Sequence, residues 1–161
     1  MLLLLVRHAD AGERDPARWP DDTLRPLTEK GRKIQGQVVK ALRDAGVAPE
    51  VVLTSPWLRA AQTAELLTQG LGIAPPVPAP ALAADPDLGA LDAAVGPRKS
   101  KAVVALVGHS PWIEELAALL LTGSAAGLAI DFPKSGVLGV EVDRVDAKGA
   151  ALRFFLRPKM L

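Results

Sequence analysis

Residues 1–10 read MLLLLVRHAD, and the reading of the whole fold turns on what the apolar run at residues 2–6 builds. A signal peptide opens on positive charge and continues through about 7–15 apolar residues to a small-residue cleavage site. Here the run is short and meets Arg7 directly. A membrane-spanning helix needs about 20 apolar residues, and no such stretch occurs in the chain without charge, glycine or proline. A run too short for a helix and unbroken by polar residues is the pattern of a strand covered on both faces. Such a strand ends by presenting Arg7 and His8 beyond its carboxyl end.

Similar runs recur at residues 51–53 and 102–107, each followed by a helix signal. The first helix is expected to begin behind Thr28 as N-cap, to carry Ile34, Val38 and Leu42 on one face, and to stop at Gly46. Gly31 and Gly36 inside it each cost about 1 kcal/mol relative to alanine, and both read as places of close packing. Pro56 and Pro111 are expected at first helical positions, with Ser55 and Ser110 as the caps. The segments VLTSPWLR and LVGHSPWIE echo each other without a sustained period, which makes them repeated turn chemistry rather than duplicated domains. Residues 74–88 hold five prolines, a composition that permits a connector with at most a short edge strand. Residues 87–95 read as a helix, and residues 136–142 and 150–156 as a terminal hairpin across DRVDAKG. Alternating strands and helices of this kind, in 161 residues that are 49% hydrophobic, predict one α/β layered domain over residues 1–161.

Nineteen basic and eighteen acidic residues leave a net charge of +1, far from the basic balance of a nucleic-acid domain. Neither nucleic acid nor membrane is an expected partner. Arg98, Lys99 and Lys101 read as a solvated loop. The absence of cysteine rules out disulfides and thiolate chemistry and fits a cytoplasmic protein.

Only two histidines are present, and each follows a buried-strand pattern. Ligands of open α/β sheets gather beyond the carboxyl ends of the strands, so His8 and His109 face one crevice if their strands are parallel neighbours. Arg59, in the first turn of the helix after residues 51–53, reaches the same place. Cationic arginines beside the imidazoles oppose a divalent metal, and no thiolate is available to complete a zinc site. The set suits an anion instead: guanidinium forks match the paired oxygens of phosphate, and a helix start beyond His109 adds N–H groups. Neighbouring cations hold an imidazole neutral, and a neutral imidazole attacks phosphorus. Such chemistry requires no cofactor.

The stretches LLVRHADA, RPLTEKGR, SPWLRAAQTAELL and VGHSPWIEELAALL occur in this order, and with them the chain resembles the histidine phosphatase superfamily, related to phosphoglycerate mutases. It looks most like the compact SixA-type phosphohistidine phosphatases. The resemblance implies a three-layer α/β/α sandwich around a mostly parallel sheet with an antiparallel edge. It further implies that His8 accepts the phosphoryl group, that Arg7 and Arg59 hold phosphate, that His109 completes the pocket and that Arg25 makes a peripheral anion contact.

Two departures stand out. The family's usual R-H-G is R-H-A here, so Ala9 must take a backbone conformation open to a residue with a Cβ. Larger members also supply a carboxylic acid to the leaving oxygen from the middle region, where this chain reads PALAADPD. Ala81 or Ala83 stands where the acid is expected, and Asp85 or Asp87 is a substitute. General-acid help is worth about 10²–10⁴-fold, and the labile P–N bond of phosphohistidine needs it least. A phosphorylated protein, such as a phosphorelay or phosphotransfer domain, is therefore the expected substrate. The rivals are a small phosphorylated metabolite, acted on by a phosphomonoester phosphatase or mutase, and a phosphate-recognition module without turnover. Trp57 and Trp112 read as packing residues, Trp19 as a loop anchor or docking residue, and Lys134 as a solvated loop lysine.

Overall fold

In the computed structural model, which describes residues 1–161, the opening apolar run forms β1 (Leu2–Arg7), an interior strand of a six-stranded sheet. The remaining strands are β2 (Val51–Thr54), β3 (Val77–Pro78), β4 (Val103–Gly108), β5 (Val137–Glu141) and β6 (Ala151–Leu156). Their order across the sheet is β3-β2-β4-β1-β5-β6. The first four in that order run parallel, β5 runs antiparallel to β1, and β6 antiparallel to β5. The helices are α1 (Glu29–Asp44), α2 (Leu58–Leu71), α3 (Leu88–Val95) and α4 (Trp112–Thr122).

Strand side chains alternate between faces, and both faces of this sheet are covered. Leu4 and Val6 pack with Val38 and Leu42 of α1 and Ala64 and Leu67 of α2. Leu3 and Leu5 pack on the other side with Leu91 of α3 and Leu116 and Leu120 of α4. All four strand residues are 0% exposed, which is why no polar residue interrupts the run. The result is the expected three-layer α/β/α sandwich with a mostly parallel sheet and an antiparallel edge. The proline-rich connector supplies only the two-residue edge strand β3 and a 3-10 turn at Pro80–Ala83 that buries Leu82. No helix is long and apolar enough to cross a membrane.

Thr28 caps α1 as expected, its Oγ1 accepting the N–H of Gly31 at 2.9 Å. The far end closes on Gly46, whose φ of +68° is the left-handed conformation that glycine adopts without strain. The two serine caps differ from expectation. Helix α2 starts at Leu58, with Trp57 in the capping position and no side-chain cap. Ser55 lies farther back and accepts only the Trp57 N–H, at 3.2 Å, so Pro56 precedes the helix. In α4 Pro111 itself occupies the capping position, after a cis Ser110–Pro111 bond. The Ser110 hydroxyl donates to the Glu114 carboxylate at 2.6 Å, a charge-assisted bond that outcompetes a neutral cap. The two helix glycines also part company. A Cβ on Gly31 would lie 2.2 Å from the Asp10 carbonyl oxygen, so glycine is what lets α1 approach the chain after β1. Gly36 has nothing within 4 Å of such a Cβ, and close packing does not explain it.

Candidate active site

The register of two strands brings the histidines together. In the parallel pair β1–β4, Arg7 lies opposite Gly108, so the next residues, His8 and His109, leave the sheet side by side. Their ring centroids are 5.2 Å apart. Strand β2 flanks β4 on its other side, and Ser55 prolongs the pairing by donating its N–H to Val107 at 3.0 Å. The chain then turns into α2, whose first turn carries Arg59 into the same crevice.

His8 is held in a defined tautomer. Its Nδ1 lies 2.7 Å from the Ala9 carbonyl oxygen, which can only accept, so Nδ1 carries the proton and Nε2 the lone pair. Arg59 Nε donates to that Nε2 at 3.3 Å. Ala9 is pinned in turn: its N–H donates to Thr63 Oγ1 at 3.0 Å, and the Thr63 hydroxyl donates to the Arg59 carbonyl at 2.6 Å. Ala9 is not among the residues of positive φ, so the R-H-A departure introduces no backbone strain. Burial drives the His8 pKa down to about 4, with Arg59, Arg7 and Lys134 adding to the effect against the Ala9 carbonyl. Burial, then the charges of His8 and Arg59, brings His109 to about 3. Both imidazoles are therefore neutral at pH 7.

Ser55, which sequence reasoning treated as a helix cap, is the partner of His109. Its Oγ lies 2.7 Å from His109 Nε2 and accepts the Trp57 N–H. We assign the hydroxyl proton to that bond, which leaves His109 protonated at Nδ1. His109 Nδ1 and Arg7 Nε are both buried without a protein partner. A buried donor left unpaired costs about 1–3 kcal/mol, so these two nitrogens are the unsatisfied polar atoms of the two residues beside His8. Arg7 is oriented by its Nη1, which donates to the Phe132 carbonyl at 2.6 Å. Ser135, also missed, sits against the same turn. Its N–H donates to the Arg7 and His8 carbonyls at 3.1 and 3.2 Å, its φ is +61°, and its buried hydroxyl has no partner.

Arg25 is engaged differently from a free anion contact. Its Nε donates to Asp22 Oδ1 at 2.8 Å, and its Nη1 to the carbonyls of Gly12 and Ala11 at 2.6 and 3.2 Å. It clamps the loop after β1 and holds Asp22, whose carboxylate stands 3.4 Å from Arg59 Nη2 and whose carbonyl accepts from Arg59 Nη1 at 2.9 Å. The Arg25 hydrogen bond keeps the Asp22 carboxyl below its ordinary range, so Asp22 is an ionised neighbour and not a proton donor. Lys134 is paired rather than freely solvated, its Nζ 2.5 Å from Asp10 Oδ1. Trp19 is half-buried in that loop, with Arg18 Cζ 5.5 Å above its ring.

Beside His109 a small apolar cleft is lined by Ala81, Leu82, Ala84, Pro86, Trp112 and Ile113. Asp87 is turned away as the N-cap of α3, accepting from Ala90 at 2.9 Å, and Asp85 is exposed outside the lining. No group of three or more His, Cys, Asp or Glu side chains is arranged to hold a metal ion.

A mostly parallel sheet that delivers two neutral imidazoles and two arginines to one crevice defines a class of phosphoryl-handling α/β proteins. The sequence pattern of the histidine phosphatase superfamily (branch 1) matches residues 3–84. An uncharacterized protein of Picosynechococcus sp. is 37% identical over 143 residues, covering 87% of this chain and 84% of that one. The structure of the protein histidine phosphatase SixA complexed with tungstate superposes with a TM-score of 0.80 at 27% identity, over 99% of both chains. A structure from Agrobacterium tumefaciens assigned to SixA phosphohistidine phosphatases gives 0.75 at 26% identity, over 98% of this chain and 97% of that one. The fold extends to a phosphoserine phosphatase of Entamoeba histolytica, with a TM-score of 0.70 at 13% identity, over 99% and 98% of the two chains. The chain belongs to the histidine phosphatase superfamily and is a SixA-like phosphatase.

Proposed function

We propose that this phosphatase removes the phosphoryl group from phosphohistidine carried on a protein, through a phosphorylated His8. The carrying observation is the leaving-group side of the crevice: Ala81, Leu82, Ala84 and Pro86 stand beside His109, with no carboxylic acid among them. Neutral His8 Nε2 attacks phosphorus, while Arg7, Arg59 and the Nδ1–H of His109 take the charge on the equatorial oxygens. The P–N bond breaks with its electron pair on the substrate ring, which leaves as neutral imidazole once its second nitrogen has been protonated from solvent. Water then attacks the phosphorus on His8, and phosphate departs with restoration of the Nε2 lone pair. An alkoxide would lack a proton donor in the first step, whereas the substrate imidazole takes its proton from solvent before the bond breaks and needs none from the protein. Arg25 serves as a positioning residue through Asp22.

The test is phosphate release, without metal, from a histidine-phosphorylated carrier protein and from a panel of phosphomonoesters, with wild type and His8→Ala. Rapid release from the carrier that disappears in His8→Ala, beside poor ester turnover, is the expected result. Efficient ester hydrolysis would refute the substrate class, and turnover surviving in His8→Ala would refute the nucleophile.

A further inference from the structure

We propose that Trp57 and Trp112 form the wall on which the leaving group stacks, and that they favour a flat, unsaturated leaving group over an alkyl one. The ring that stacks there is the imidazole of phosphohistidine, so the inference rests on the phosphatase reading of His8 given above. The wall begins one ring away from the nucleophile. His109, 5.2 Å from His8 between centroids, is 4.5 Å from Trp57 and 6.0 Å from Trp112. The two indoles meet edge-on at 5.7 Å, and Arg59 Cζ lies 4.8 Å above the Trp57 ring. These rings are tilted by 50°, 71° and 85° to one another, so face-to-face stacking is nowhere used within the cluster.

Both tryptophans are half-buried, and both lie against His109. Trp112 lines that cleft together with Ala81, Leu82 and Pro86. A hydroxylated alkyl leaving group against these indoles would give up water without gaining polar partners, which is costly. A flat ring gains an aromatic contact and loses little hydration. Packing alone, the reading from sequence, accounts for the contacts among the rings but not for the part of each indole that stays open to solvent beside His109.

Matched substrate pairs isolate this contribution: N-phosphohistidine against phosphoramidate, both cleaved at a P–N bond, and phenyl phosphate against ethyl phosphate, both esters. Wild type, Trp57→Leu, Trp57→Phe and Trp112→Leu are compared by kcat/KM. Trp57→Leu should lose about tenfold on the ring-bearing member of a pair and less than about twofold on its ringless partner, as expected for one aromatic contact. Trp57→Phe should keep most of the preference. Equal loss on both members would assign Trp57 to holding Arg59 and His109 and overturn the inference, as would no loss on either. Should Trp57→Leu fail to fold, Trp112→Leu decides on the same criterion. If wild type ignores phosphohistidine yet cleaves phenyl phosphate, the proposed substrate falls while the ester pair still decides the wall.

Discussion

Arg59 Nε donates to Nε2 of His8 at 3.3 Å, so the lone pair that would attack phosphorus is held by the guanidinium that would hold the phosphoryl group. Both residues are nearly inaccessible, at 5% and 7% exposure. A lysine could supply the charge but not the fork that bridges His8, the Asp22 carbonyl and an anion. Arg59→Lys is expected to lower kcat about 10²-fold, the scale for one oxyanion donor, with the fold intact by circular dichroism. A variant within threefold of wild type would remove Arg59 from the reacting centre.

Stability should fall on mild acidification. His8 and His109 have folded pKa values of about 4 and about 3, against 6.5 ordinarily. As pH drops through 6.5 the unfolded chain takes up protons that the native state refuses, so stability is full above that value and is withdrawn down to the folded pKa values. The slope is at most about 1.4 kcal/mol per pH unit for each histidine. The Asp10 and Asp22 carboxyls are displaced below an ordinary 3.8, so their contributions vanish only at lower pH and leave the window between 6.5 and 4 to the imidazoles. Urea unfolding at pH 7, 6 and 5 should show the decline, and His8→Asn should roughly halve it. A flat profile would contradict the neutral burial of these rings.

The two glycines of α1 should respond oppositely to alanine. Gly31→Ala drives a Cβ into the Asp10 carbonyl, and overpacking of this kind costs about 1–3 kcal/mol. Gly36 is exposed in the helix interior with open space around it, so Gly36→Ala should stabilise by about 1 kcal/mol through helix propensity. Thermal melts of both variants check the signs.

The difference between those glycines marks how far the sequence could be read. The run at residues 2–6, the helix start at Thr28 and the placement of both histidines at strand ends follow from periodicity and local turn chemistry, which residues near in sequence determine. The convergence of His8 and His109 needed one further condition, parallel adjacency of β1 and β4, and the register supplies it. Ser55 was misread because a serine before proline carries the same signal whether its hydroxyl caps a helix or meets an imidazole 54 residues away. Asp22 and Ser135 had no pattern to betray them. Their partners come from Arg25 and Arg59 in one case and from the β1 turn in the other, and such contacts exist only once the layers have assembled.

Asp22 places a fixed negative charge beside Arg59. A phosphate held by Arg59 in the proposed way would share that guanidinium with Asp22, and the carboxylate would weaken its binding and ease product release. Asp22→Asn keeps an acceptor for Arg25 and removes the charge. Inorganic phosphate should inhibit this variant about three- to tenfold more tightly, the range for one partly buried charge pair, and the difference should shrink at high salt. Unchanged or weaker inhibition would mean that Asp22 does not compete for the arginine.

Ser55→Ala tests the tautomer of His109. Without the hydroxyl, Nε2 joins Nδ1 as an unpaired nitrogen on a side chain only 2% exposed, at a cost of about 1–3 kcal/mol in stability. The proton is then no longer confined to Nδ1, and the donor that the proposed mechanism uses against developing phosphoryl charge is present only part of the time. A fall in kcat of about tenfold follows from partial loss of one such donor. Nitrogen-15 spectra of labelled histidine read the tautomer independently of turnover: wild type should show Nδ1–H, and Ser55→Ala a mixture. If both proteins show the proton on Nε2, Ser55 accepts rather than donates, and the charge-stabilising role of His109 must be carried by Arg7 and Arg59 alone.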